Sequence, residues 1–133
     1  MREIKFRAWI EPKGADFRAM ANVSSIDFET RKIVVTFNNP YFAQTKFEFG
    51  DGDYTLMQST ELKDKNGREI YEGDILEIKH LMGCETGELI FKYGAFLFDD
   101  GGYSYLGDHL ANSEYIKVIG NIYENPELLE VKQ

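Results

Sequence analysis

The residues able to do chemistry are few, and their spacing is poorly matched to known sites. Asp51-Gly52-Asp53 opens like a calcium-binding loop. Such a loop also needs a further oxygen ligand, a mid-loop glycine for its sharp turn and a closing acid. Thr55, Leu56 and Leu62 stand at those positions, so the segment reads as an ordinary turn. His80 and Cys84 are four residues apart and His109 is distant. A zinc site takes three or four ligands, and only scattered acids are present to complete one. The pattern predicts a strand-end histidine and a small buried thiol. A pairing of Cys84 with His80 or His109 would resemble a nucleophile and its base, but no orienting third group or oxyanion turn accompanies it. Glu88, Asp99, Asp100 and Asp108 could gather as a metal-binding carboxylate cluster for phosphodiester chemistry, with Lys92 the only cation close in sequence. Asp99 and Asp100 sit in a Gly-rich turn, however, where acids commonly serve the backbone. There is no Gly-rich phosphate loop of Walker or Rossmann type. The chain is therefore expected to be no enzyme, with no catalytic residue, metal ligand or cofactor.

One segment suits binding better than catalysis. Phe96-Leu97-Phe98 and Tyr103-Ser104-Tyr105 flank Asp99-Asp100-Gly101-Gly102. A four-residue loop would pair Phe98 with Tyr103 and Phe96 with Tyr105, placing all four rings on one hairpin face. Small barrels use such rings to stack bases or to grip extended peptides. The rings can equally fill a barrel, with phenolic tips at its rim. The adjoining Asp99, Asp100 and Asp108 would repel phosphates. Asp99, Asp100, Tyr103, Tyr105 and Asp108 are accordingly the candidate partner-binding residues, with a protein as partner.

The elements that must position them are strands. A chain of 133 residues suffices for one domain, or two small lobes, and buries about two-thirds of its unfolded surface. A hydrophobic content of 43%, with ten Phe and eight Tyr, is too rich for disorder. The single cysteine excludes an internal disulfide and suits a reducing cytosol. No apolar run approaches the roughly 20 residues of a membrane span, and the opening Arg-Glu-Ile-Lys is unlike a signal peptide. Residues 1–55 hold eight Lys and Arg against eight Asp and Glu, so the whole net charge of −8 falls in residues 56–133. That argues against a binder of the DNA backbone, which needs a basic face. It suits either a solvated surface or an anionic surface shown to a basic partner.

Turn signals recur every 8–12 residues or so, the mark of an all-β sandwich or barrel. Arg2 to Trp9 alternates as a half-buried strand. Val23 to Phe28 and Ile33 to Phe37 form a hairpin across Glu29-Thr30-Arg31-Lys32. Lys46 to Phe49 is a short strand. Around Asn66-Gly67 a two-residue turn would oppose like charges, Lys65 to Arg68 and Asp64 to Glu69. A three-residue loop with Gly67 left-handed pairs Asp64 with Arg68, Lys63 with Glu69 and Leu62 with Ile70, and is the register expected. Ile75 to His80, Gly87 to Lys92 and Tyr115 to Tyr123 complete the strands, with Gly120 at a bend or a close backbone contact. Asn125-Pro126-Glu127 starts a short helix, docked by Leu128 and Leu129.

Three segments together resemble the YopX family of phage and prophage proteins. They are Arg2-Glu3-Ile4-Lys5-Phe6-Arg7-Ala8-Trp9, then Leu56-Met57-Gln58 with Asp64-Lys65-Asn66-Gly67-Arg68-Glu69-Ile70-Tyr71-Glu72-Gly73-Asp74-Ile75, and finally Val118-Ile119-Gly120-Asn121-Ile122-Tyr123-Glu124-Asn125-Pro126-Glu127-Leu128-Leu129. The chain departs from the family pattern at Ser59 and Glu61, where similar members usually carry an aromatic and then a glycine. The lead into the hairpin is expected to differ there. The resemblance implies a mainly β fold: an N-terminal β segment over 1–55 packed beside an SH3-like small barrel over 56–133 that ends in a short helix. It also implies residence in a bacterial cytoplasm during phage infection or lysogeny, and it carries over neither an activity nor any catalytic residue. Within the matched motifs, Gly67 and Gly73 suit positive backbone angles, and Ile70, Tyr71 and Ile75 suit a core.

The resulting expectation is a non-enzymatic phage accessory protein. It binds a host or phage protein through the barrel loops and the acidic C-terminal part, as a homo-oligomer. The alternatives are a nucleic-acid-binding small barrel, a DNA-mimicking inhibitor of a host enzyme, and a carboxylate–metal nuclease.

Overall fold

β-branched and aromatic residues dominate the runs between glycines, and the chain spends them on antiparallel strands. The computed structural model describes residues 4–42 and 45–130. They divide into two compact units, Met1–Gln58 and Ser59–Gln133. The protein is mainly β, as its sequence predicts.

The first unit holds β1 (Phe6–Ile10), β2 (Ala19–Asp27), β3 (Lys32–Thr36), β4 (Phe47–Phe49) and the start of β5 (Tyr54–Lys63), in the order β4-β3-β2-β1-β5. Ala8, Ile10, Ala21, Ile33 and Val35 form its core. β1 corrects the expectation of a half-buried strand. Arg7, Ala8, Trp9 and Ile10 are all buried, and Ile4 is exposed outside the strand. β1 lies between β2 and β5, an interior place that the alternation could not reveal. Residues 2 and 3 of the expected strand lie outside the described residues. In the β2–β3 hairpin Asp27 pairs with Lys32, so the loop is 28–31, one residue earlier than expected. The Asp27 carboxylate accepts the Glu29 and Thr30 amides at 3.0 and 3.3 Å and fastens that loop.

The second unit takes over β5 at Ser59 and adds β6 (Glu69–Tyr71), β7 (Asp74–His80), β8 (Gly83–Lys92), β9 (Ala95–Asp99), β10 (Tyr103–Tyr105), α1 (Leu106–Asn112), β11 (Tyr115–Asn121) and a 3-10 turn (Pro126–Leu129). Its sheet runs β10-β9-β8-β7-β11. Ile70, Leu76, Ile78, Leu89, Phe98, Leu106, Ile116 and Val118 pack as one core.

The β5–β6 hairpin adopts the bulged register. Lys63 pairs with Glu69, the Asp64 amide donates to Arg68 O at 2.8 Å, and Gly67 is left-handed at φ 81°. The expected Leu62–Ile70 pair is not made. Two extra residues bulge between the Ser59–Tyr71 and Lys63–Glu69 pairs, and Glu61 turns left-handed at φ 67°. The hydroxyls of Ser59 and Thr60 accept the amides of Glu61 and Leu62, and Thr60 donates to Ile70 O. The bulge falls at Ser59 to Leu62, the segment that leads into the hairpin.

Asp64 joins this hairpin to β11. It is buried, and its Oδ1 accepts the Asn66 and Arg68 amides at 2.9 and 2.8 Å while its Oδ2 accepts Val118 N at 2.9 Å. Lys65 N adds a bond to Ile116 O. Burial disfavours the Asp64 charge, but the Val118, Arg68 and Asn66 amides outweigh it and hold the carboxyl below its ordinary value.

Two glycines are fixed by close approach. A Cβ on Gly87 would lie 2.3 Å from Asp99 O, and one on Gly120 would lie 2.6 Å from the Asn125 side-chain oxygen. Gly120 follows a bulge in β11, the bend its position suggests. Asn125 precedes the 3-10 turn, but its side chain caps none of the turn's amides and accepts Asn121 N instead. The turn lies near β8 with Leu128 and Leu129 each more than one-third exposed, a looser docking than expected. Helix α1 escapes the sequence reading. Seven residues with a glycine second are too few to show a 3.6-residue period. Among the described residues no helix is long and apolar enough to cross a membrane.

Candidate functional site

The β9–β10 hairpin and α1 carry all five candidate residues. The hairpin register differs from the one expected. Tyr103 pairs with Asp99, Ser104 with Phe98 and Tyr105 with Leu97, so the loop is the three residues 100–102. Gly101, at φ 110°, donates to the Asp99 carboxylate, and Gly102 donates to that of Asp100. Shortening a loop by one residue moves every following side chain to the opposite face. The four-ring face therefore does not form. Phe98 is fully buried and Phe96 packs against the core, whereas Tyr103 and Tyr105 point away from them and are 51% and 61% exposed.

The exposed face gathers other partners. Tyr93 and Gly94, both with positive φ, form the tight β8–β9 turn that links Lys92 to Ala95. The Tyr93 ring stands 6.3 Å from that of Tyr103. Lys92 lies over both rings, 5.2 Å from Tyr93 and 5.0 Å from Tyr103, and donates to the Tyr103 hydroxyl at 3.1 Å. That hydrogen bond chiefly raises the Lys92 pKa. Tyr93 was legible only as a residue before glycine between two strands.

The carboxylates do not converge. Asp99 is partly exposed, Asp100 is exposed in the loop, and Asp108 is exposed in the first turn of α1. Glu88 sits across the ladder from Asp99. Burial, and then the Asp99 charge, push its carboxyl above the ordinary range. Among the described residues no group of three or more His, Cys, Asp or Glu is placed to hold a metal ion. Asp51 pairs with Arg31 at 3.3 Å while Asp53 accepts Lys13 N at 3.0 Å, so these two acids serve separate loops.

A second group was not anticipated. His80, at the end of β7, and His109, on α1, stand with ring centroids 5.4 Å apart. The Ser104 hydroxyl is 2.6 Å from His109 Nε2, and Glu85 is 3.5 Å from His80 Nε2. These side chains line an open hollow of about 540 Å³ together with Met82 and Gly83. Burial, followed by the neighbouring His80, lowers the His109 pKa; Glu85, Asp100 and Asp108 pull the other way. Cys84 is exposed, not the buried thiol expected, because its stretch of β8 lies beyond the packed part of that strand.

The fold is that of a mainly β protein built on antiparallel sheets. The chain belongs to the YopX protein family, whose model matches residues 5–130. It is similar to protein EF1440 from Enterococcus faecalis, known from a crystal structure, at 30% identity and a TM-score of 0.66 over 98% of this chain and 100% of that one. It is similar in fold to protein yopX from Bacillus subtilis, also a crystal structure, at 20% identity and a TM-score of 0.61 over 95% of this chain and 98% of that one. Among curated proteins none matches.

Proposed function

We propose that this chain is a non-enzymatic phage or prophage accessory protein that binds a protein partner through the β9–β10 hairpin and the start of α1. The observation that carries the reading is the edge position of β10. An edge strand offers unpaired backbone groups to an extended segment of another chain. Tyr103 and Tyr105 stand beside those groups with more than half their surface exposed, and tyrosine is among the commonest anchors of protein interfaces. Asp99, Asp100 and Asp108 give the surface a sign, so the partner presents a basic strand or loop. The partner belongs to the phage or its bacterial host, the protein works in the host cytoplasm, and it acts as a homo-oligomer. The second unit is read as an SH3-like small barrel, on the strength of its last strand returning beside β7 just after a short helix.

The test is capture from infected-cell lysate with the intact chain and with Tyr103→Ala/Tyr105→Ala. A specific protein retained by the first and lost by the second supports the reading. Recovery of nucleic acid alone, or equal retention by both, overturns it. The exposed acids Asp100 and Asp108, with the partly exposed Asp99, also favour a narrower version, an inhibitor that mimics DNA for a basic host enzyme. That version requires DNA to compete for the captured protein and the Asp99/Asp100/Asp108 triple alanine to bind it weakly.

A further inference from the structure

The first unit carries none of those residues, yet it holds an apolar hollow. Phe17, Phe37, Phe42, Phe47 and Phe49 wall a space of about 410 Å³. Phe37 stands at the centre of the group, 5.5 Å from Phe17, 5.4 Å from Phe47 and 6.4 Å from Phe49, and Phe42 reaches Phe47 at 5.9 Å. Three of these contacts are edge-on, with interplanar angles of 82–86°. Edge-to-face contact is a favoured geometry of aromatic pairs, so these rings hold one another in place. Phe37, Phe47 and Phe49 rest on the core of this unit, so the wall is anchored from behind. Phe17 and Phe42 are 43% and 45% exposed at the front.

We propose that this hollow is a binding site for a small, uncharged molecule built on a flat ring system. Three features select that class. Among the described residues no charged side chain lines the space, and Asn38 supplies a neutral amide to its lining, so an ionised ligand would lose water without gaining a counter-charge. The volume lies in the range of about 300–1,000 Å³ typical of small-molecule sites. A single phenylalanine-sized ring would leave much of it wet, and a skeleton of two fused rings fills it better. Ring faces and edges line the walls, so a flat aromatic skeleton finds complementary contacts on several sides.

The probe is 2-naphthol, titrated into the full chain and followed by amide and aromatic-proton shifts, with 2-naphthoate as its charged counterpart. Saturable shifts confined to the resonances of Ala19, Phe37, Phe47 and Phe49 are expected, with naphthoate about tenfold weaker. Ala19→Phe places a ring inside the hollow without removing a wall, and is expected to abolish the shifts. Phe42→Ser, at the exposed rim, is expected to weaken binding with the thermal transition unchanged, and decides the matter if Ala19→Phe does not fold. Shifts that fail to saturate, that persist unaltered in the folded variants, or that are equal for naphthol and naphthoate overturn the assignment.

Discussion

Asp64 shows how one carboxylate can organise a fold whose elements are otherwise held by backbone ladders. Three amides from two separate segments converge on it, and bonds to a charged acceptor contribute about 1.5–3 kcal/mol each when their loss leaves a buried donor. Asp64→Asn keeps the shape but has only one accepting oxygen, so urea unfolding should show a loss of about 2–4 kcal/mol. The pH dependence has a definite sign. The folded carboxyl lies below its ordinary value of 3.8, so its contribution is complete above that value and is lost as pH falls through the lower, folded one. The acid limb of the stability curve should be shallower in the variant. His109 acts at milder pH. Its folded pKa is below the ordinary 6.5, so the unfolded chain binds the extra proton and stability falls as pH drops from about 6.5 toward the lowered value. His109→Gln should flatten the curve in that window in a pH series of thermal melts. Glu61 tests the opposite case, a residue held where glycine is favoured. Left-handed backbone costs a side-chain-bearing residue about 1–2 kcal/mol. Part of that is returned as chain entropy when glycine is introduced, so Glu61→Gly should stabilise by about 0.5–1 kcal/mol in the same urea assay.

At the scale of elements, the β8–β9 pair depends on an absence of side chain. Gly87 lets the Asp99 carbonyl and the Phe98 ring come within reach of its backbone. Gly87→Ala should force the two strands apart and cost about 2–3 kcal/mol, the usual penalty of overpacking, with the amides of Leu89 and Phe98 exchanging faster with solvent. The hairpin after it illustrates how loop length governs which side chains are exposed. A three-residue loop sends Phe98 into the core and Tyr103 and Tyr105 outward. A four-residue loop would have stacked all four rings on one face. Because strand side chains alternate strictly, that single residue decides whether the tyrosines share the face of the phenylalanines or stand exposed. Composition around the loop, two acids and two glycines, suits either length, so the register was not legible there. The β5–β6 loop was legible because charge pairing separated its two registers.

For the molecule as a whole, the net charge of −8 is confined to residues 56–133, and under the proposed function it would steer a basic partner toward that part. Attraction to a basic partner is long-range and screened, with a Debye length of about 10 Å at 0.1 M salt and about 3 Å at 1 M. Association of the captured partner should therefore slow markedly between those conditions, by stopped-flow or surface-plasmon measurement, while dissociation changes less. Length, charge distribution and the spacing of turns and β-branched runs were enough to determine the mainly β class, most strand positions and the bulged β5–β6 hairpin, because those depend on neighbours in sequence. The burial of both faces of β1, the amide cluster on Asp64, the meeting of His80 with His109 and the phenylalanine-walled hollow were decided only by tertiary structure. Each brings together residues from separate strands or loops, and nothing in the local pattern of one segment records which distant segment will lie against it.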